Sequence, residues 1–112
     1  MRWLGRRLHV VHDWDSAVSL PEPAIVGAAA GVFPASGGPD ESASLGETEA
    51  FLAAYEATRG RPWSPDERQV CWAAGLWVQA FNARKEALDG PDGPMQRRLL
   101  TEVQQRLRFV GA

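Results

Sequence analysis

A chain of 112 residues that is 45% hydrophobic and 23% charged is one domain or part of one, with enough apolar material for a core. Its formal net charge of -2 offers no concentrated basic field, so nucleic acid is not an expected partner. The single cysteine, Cys71 in an apolar run, excludes an internal disulfide or a thiolate metal cluster and reads as a buried, inert thiol.

The first residues carry Arg2, Arg6 and Arg7 among apolar positions and lack the continuous apolar core of a signal peptide. The longest charge-free segment, Gln69 to Ala83, contains Gln79 and Asn82 and is too short to span a bilayer. A soluble, cytoplasmic protein without membrane contact is the expectation. Arg2-Trp3-Leu4, a turn at Gly5-Arg6 and the run from Arg7 to His12 read as a β-hairpin within residues 2–14. That hairpin ends in Asp13 and Asp15. Side chains alternate along a strand, so these two carboxylates can share a face, an arrangement able to hold Mg²⁺ beside a phosphate. The competing reading is that acids end strands because they make turns.

Pro21-Glu22-Pro23 opens a helix over about residues 23–33. Its Ala24, Gly27, Ala28, Ala29, Ala30 and Gly31 leave room for another element to approach closely. Each interior glycine costs about 1 kcal/mol against alanine, and tight packing is the expected compensation. Neither phosphate-loop glycine pattern is present. After a surface loop, Ser44-Leu45-Gly46-Glu47 forms a capping box for a helix over 45–59, closed by Gly60, with Phe51, Leu52 and Tyr55 as its buried stripe. Ser64-Pro65-Asp66-Glu67 then opens a helix over 65–88, with a serine cap, proline at the first helical position and acids in the first turn. Val70, Trp77 and Phe81 share one stripe of it, and Trp72, Leu76 and Ala80 cover another side. A helix apolar over most of its circumference predicts a central position and a buried tryptophan stripe. Past the turn-rich stretch from Asp89 to Pro94, a last helix over 95–109 is expected to face Leu99, Leu100, Val103 and Leu107 inward. Arg97, Arg98, Arg106 and Arg108 read there as a solvated face. The expected fold is mainly α, a hairpin followed by four helices.

Several chemistries fail on residue counts. His12-Asp13 suggests a metal-dependent phosphohydrolase, but His9 is the one other histidine, and zinc hydrolysis fails with it. An EF-hand loop counted from Asp13 puts Ala24 where a glutamate is required. His12 and Ser16 read as local hydrogen bonding rather than as a base and its nucleophile.

The run Arg7-Leu8-His9-Val10-Val11-His12-Asp13-Trp14-Asp15-Ser16 resembles a segment of the aminoglycoside phosphotransferase and choline kinase-like family, in which a hydrophobic strand ends in an Ile/Val-Asp-Trp/Phe motif. Phe51-Leu52 and Tyr55, the Gly60-Arg61-Pro62 connection, and Trp72-Ala73-Ala74-Gly75-Leu76-Trp77 resemble that family's helical C-terminal subdomain in the same order. The resemblance spans about residues 2–110. It implies a four-helix, C-lobe-like subdomain of the kinase-like fold filling residues 1–112. Asp13 would be the Mg²⁺ ligand, Asp15 a second metal or substrate contact, and His12 and Ser16 substrate-side candidates. The family's nucleotide-anchoring lysine and its His-Gly-Asp-x-x-x-x-Asn catalytic loop have no counterpart here, and neither has the Gly-Asp-Pro-x-x-Asp continuation. No residue is assigned as catalytic. The resemblance thus implies a truncated phosphotransferase-like chain without kinase activity alone, with weak Mg²⁺ binding at Asp13 and ATP use only with the missing lobe supplied. A homodimer or a complementary kinase fragment is the expected partner. One alternative is part of a split small-molecule kinase, and another is a helical binding or assembly module.

Overall fold

Two glycine-bearing helix faces meet at the centre of the molecule. The computed structural model describes residues 2–10, 19–34 and 42–111. Those residues are mainly helical: α1 (Glu22–Val32), α2 (Leu45–Arg59), α3 (Pro65–Ala87) and α4 (Pro94–Val110). Ahead of them β1 (Arg2–Leu4) and β2 (Arg7–Val10) pair antiparallel through a turn with Gly5 at φ 62°.

The strongest packing is α1 against α3, and it depends on missing side chains. A Cβ at Gly27 would stand 2.1 Å from the Cys71 carbonyl oxygen, and one at Gly31 would stand 2.8 Å from the Gly75 Cα. From the other side, a Cβ at Gly75 would lie 2.9 Å from the Gly27 carbonyl oxygen. The two backbones touch. The small residues expected to admit a neighbour do so, and that neighbour is α3. Around this contact lies the core of Val26, Ala30, Leu52, Trp63, Cys71 and Trp72, with Leu45, Tyr55 and Val110 packed on it.

The helix ends follow from local chemistry. Ser44 and Ser64 each accept from the backbone N–H three residues on, while Glu47 and Glu67 reach back to the cap N–H, so both capping boxes are complete. Gly60 closes α2 in the left-handed conformation at φ 72°. α1 begins at Glu22, one residue before the expected start, because Pro21 serves as its N-cap and Pro23 fits the first turn without needing an N–H. α4 has no side-chain cap of its own at Gly93. Glu86 of α3 supplies one from a distance, accepting from the Met95 N–H at 3.2 Å and the Gln96 N–H at 3.1 Å. A Cβ at Gly93 would sit 2.0 Å from that carboxylate. Burial opposes the charge on Glu86, but the hydrogen bonds from Gln96 and Met95 outweigh it and hold the carboxyl below its ordinary range.

A second tie joins the N-terminus of α1 to the end of α2. Arg59 pairs with Glu22, which also accepts the Tyr55 hydroxyl at 3.1 Å. The Arg59 guanidinium lies 3.8 Å from the Trp63 ring centroid, and Tyr55 stacks on Trp63 at 5.6 Å. The Trp63 indole N–H donates to the Leu52 carbonyl.

Expectations about which faces are buried fail on α3 and α4, and on α2 fail for Phe51 while Leu52 and Tyr55 pack as expected. Trp77 is 67% exposed, Phe81 is 56% exposed and Val70 is exposed too, so the stripe read as core faces outward. The buried face of α3 is Cys71, Trp72, Gly75, Gln79 and Ala83, because only the side carrying Gly75 lets α1 come into contact. On α2, Leu52 and Thr48 are buried while Phe51 is exposed. On α4, Leu100 is 77% exposed, and Leu99, Val103 and Leu107 are half-buried. The α4 side chains that enter the interior are Glu102 and Arg106, so Arg106 is not part of a solvated face. The reason is polar: carbonyls at the end of α1 and at Ala43 need donors, and Arg106 supplies one.

Gly27→Ala should force α1 and α3 apart and lower the urea midpoint by a large margin, equivalent to about 3 kcal/mol or more by analogy with overpacked cores; an unchanged midpoint would contradict the backbone contact. Glu86 carries a pH signature. A carboxyl held lower in the folded state contributes stability above its unfolded pKa of about 4.3, and that contribution disappears as pH falls through the lower folded value. Glu86→Gln should therefore flatten part of the acid limb of stability against pH while leaving the curve's shape above pH ~6 unchanged. Chemical denaturation across pH 2–8 reads this directly.

Candidate functional site

The residues that sequence reading assigned to a metal and its surroundings, Asp13, Asp15, His12 and Ser16, lie outside the described residues. Among the described residues no group of three or more His, Cys, Asp or Glu side chains is placed to hold a metal ion. None of the described helices is long and apolar enough to cross a membrane. Three other regions carry polar or exposed groups from which a function can be built.

The first is a buried polar knot. Arg106 is fully buried, and its guanidinium donates to the Ala43 carbonyl at 2.9 Å, to Thr48 Oγ1 at 3.3 Å and to Glu102 Oε2 at 3.0 Å. Gln79 Nε2 donates to the Gly31 carbonyl at 2.8 Å and to the Ala43 carbonyl at 3.1 Å. The Thr48 hydroxyl shares its proton between the Ser44 carbonyl at 2.9 Å and the Ala30 carbonyl at 3.2 Å. Helices α1 to α4 and the segment before α2 thus converge on a handful of carbonyls. Burial pulls the Arg106 guanidinium below its ordinary pKa, with Glu102 opposing that shift. Among the described residues Arg106 Nη1, Gln79 Oε1 and Trp72 Nε1 have no hydrogen-bond partner. The knot's chemistry is to satisfy backbone, and it is closed to solvent. It fixes architecture.

The second region is an open depression of ≈ 290 Å³ on α4 lined by Pro94, Arg97, Arg98, Thr101 and Glu102. Its cations are already engaged: Arg97 donates to the Asp92 carbonyl and Arg98 to Glu102 Oε1 at 3.3 Å. Among the described residues the lining comes from one helix, α4. Cys71 is buried, and burial pushes its thiol up to about 11. A thiol in that state is protonated at neutral pH and inert.

The third region is the outer face of α3. Val70, Ala74, Trp77, Phe81, Arg84 and Leu88 follow at alternating spacings of four and three, the period of a helix seam. This stripe lies roughly half a turn around α3 from the face against α1. Trp77 and Phe81 stack on each other at 5.8 Å while both stay open to solvent, and Leu88 is 84% exposed. A stacked pair of large aromatics on the outside of a helix that is already packed on its other side is a contiguous apolar patch, and such patches mark interaction surfaces. The alternating spacing was readable in the sequence. What sequence reasoning missed was its direction.

No protein-family model matches the chain, no curated protein matches it, and no solved structure matches it.

The knot yields a direct test. Arg106→Ala should cost about 3–5 kcal/mol, since it leaves Glu102 with Arg98 as its remaining cation and the buried acceptors short of donors. Replacing both ends with apolar residues of similar volume, Arg106→Met with Glu102→Leu, should recover much of that loss. Urea titrations of the two variants check the order; an Arg106→Ala variant as stable as the parent would refute the knot's role.

Proposed function

We propose that this protein is a helical assembly module that works by association, with the outer face of α3 as its binding surface. The reading rests on one observation: Trp77 and Phe81 stack in solvent on the side of α3 that the molecule's own packing leaves open. Burying a large apolar side chain is worth about 1.5–3 kcal/mol. Two adjacent aromatics therefore give a partner a concentrated anchor of the kind that dominates interfaces. Indole and phenyl rings also lose little side-chain freedom on binding, which limits the entropic cost. The seam spacing selects the partner's form. A stripe of alternating four- and three-residue steps fits the side chains of another helix.

A synthetic amphipathic helix with leucine at seam positions and lysine elsewhere serves as a probe. It should bind the intact chain, and the paired substitution Trp77→Ser with Phe81→Ser should weaken that binding at least tenfold. Because both side chains are exposed, the substituted chain should melt within a few degrees of the parent by circular dichroism. Equal binding by parent and variant, or no binding by either, contradicts the reading.

A further inference from the structure

We propose that the partner of this face is a second copy of the same chain, with the two α3 helices packed antiparallel about a two-fold axis passing between residues 75 and 76. The inference rests on the association reading above and adds partner, direction and register.

The charges along the stripe carry it. Asp66 and Arg84 are eighteen residues apart, and so are Glu67 and Lys85. Eighteen residues make five turns at 3.6 residues per turn, so each acid stands above its base on the same edge of the stripe, about 27 Å away along the axis. That distance forbids pairing within one helix. Asp66, Arg84 and Lys85 form no ion pair among the described residues, and Glu67 has an ion-pair contact with Arg59 at 3.6 Å. A two-fold axis perpendicular to an antiparallel helix pair sets each edge against the same edge of the other copy with its ends exchanged. Asp66 then faces Arg84 of the second copy, and Glu67 faces its Lys85. A parallel pair would instead align acid with acid and base with base.

The same register settles the sterics. It places Val70 against Phe81 of the second copy and Ala74 against its Trp77, a small residue opposite a large one in each case. Parallel pairing in register would stack Trp77 on Trp77 and leave the two alanines facing a gap. One helix therefore carries both halves of a complementary surface in charge and in volume. Four aromatic rings that each offer ~150–250 Å² when buried, discounted for the part already covered, contribute roughly 500 Å². Val70, Ala74, Leu88 and the charged edges bring the total to about the ~1,000 Å² at which specific interfaces begin. A reversible dimer follows, not an obligate one.

Sedimentation equilibrium of the full chain tests this. The mass should rise with concentration from 12.2 kDa toward twice that value. Asp66→Arg and Arg84→Asp should each weaken self-association at least tenfold. An equimolar mixture of the two should recover it, since one edge contact is then reversed and the other native. A chain carrying both substitutions should also dimerise, while melting lower because both changes oppose the α3 dipole. That split separates a role between chains from a role within one helix. Leu100→Ser, away from the seam, should leave the dimer unchanged.

A chain that stays monomeric to millimolar concentration overturns the inference. So does a dimer indifferent to both charge reversals, or single variants that mixing fails to rescue. If the chain is monomeric yet the leucine–lysine helix still binds through Trp77 and Phe81, self-pairing falls and the association reading stands. If the helix fails to bind as well, both fall.

Discussion

The contact of α1 and α3 backbones at Gly27, Gly31 and Gly75 decides how the rest of the chain is arranged. A helix pair that close has no room for side chains between its axes, so whichever side of α3 carries the glycine must face α1. Trp72 and Cys71, beside Gly75 on that surface, become core. Trp77 and Phe81, on the far side, become surface. The exposed stripe follows from where three glycines fall.

The polar knot fixes the other half of the arrangement. Where α1 ends and α2 begins, the Gly31 and Ala43 carbonyls point inward, and Gly31 also accepts the Ala43 N–H at 3.2 Å. Gln79 and Arg106 reach them from α3 and α4. Bringing Arg106 inside rotates α4 so that its apolar side chains are half-covered and Leu100 faces out. Trp72 anchors that placement by stacking on Phe109 at 4.3 Å, with the Arg106 guanidinium 5.7 Å from its ring. A buried arginine bonded to main chain resists replacement because each of its acceptors loses a donor at once.

Features written within three or four residues were readable from the sequence. The Ser44–Glu47 capping box, the Ser64 cap, the stop at Gly60 and the small-residue face of α1 all depend on near neighbours, and each forms as its local chemistry dictates. Facing directions were not readable. Trp72 and Trp77 sit in the same apolar run, and five residues of spacing do not say which one meets a neighbour when the helix is apolar nearly all round. Gly75 is the discriminating signal, since it marks the side of closest approach. Arg106 looks like Arg97 or Arg98 in a charged helix, and the Ala43 carbonyl and Thr48 hydroxyl that draw it inward lie more than fifty residues away. Glu86 as the cap of α4 was hidden for the same reason: its partners lie on the next helix. The metal and substrate candidates Asp13, Asp15, His12 and Ser16 lie outside the described residues.

An isotope-filtered nuclear Overhauser experiment on a mixture of labelled and unlabelled chains reads the α3 seam most directly. Val70 and Phe81 lie about 16 Å apart along one helix, too far for a cross-peak within a chain. An antiparallel seam places the Val70 methyls of one copy against the Phe81 ring of the other, so the account predicts cross-peaks between chains for that pair. Associated chains that show no such cross-peak, or Val70-to-Val70 contacts in its place, would contradict it.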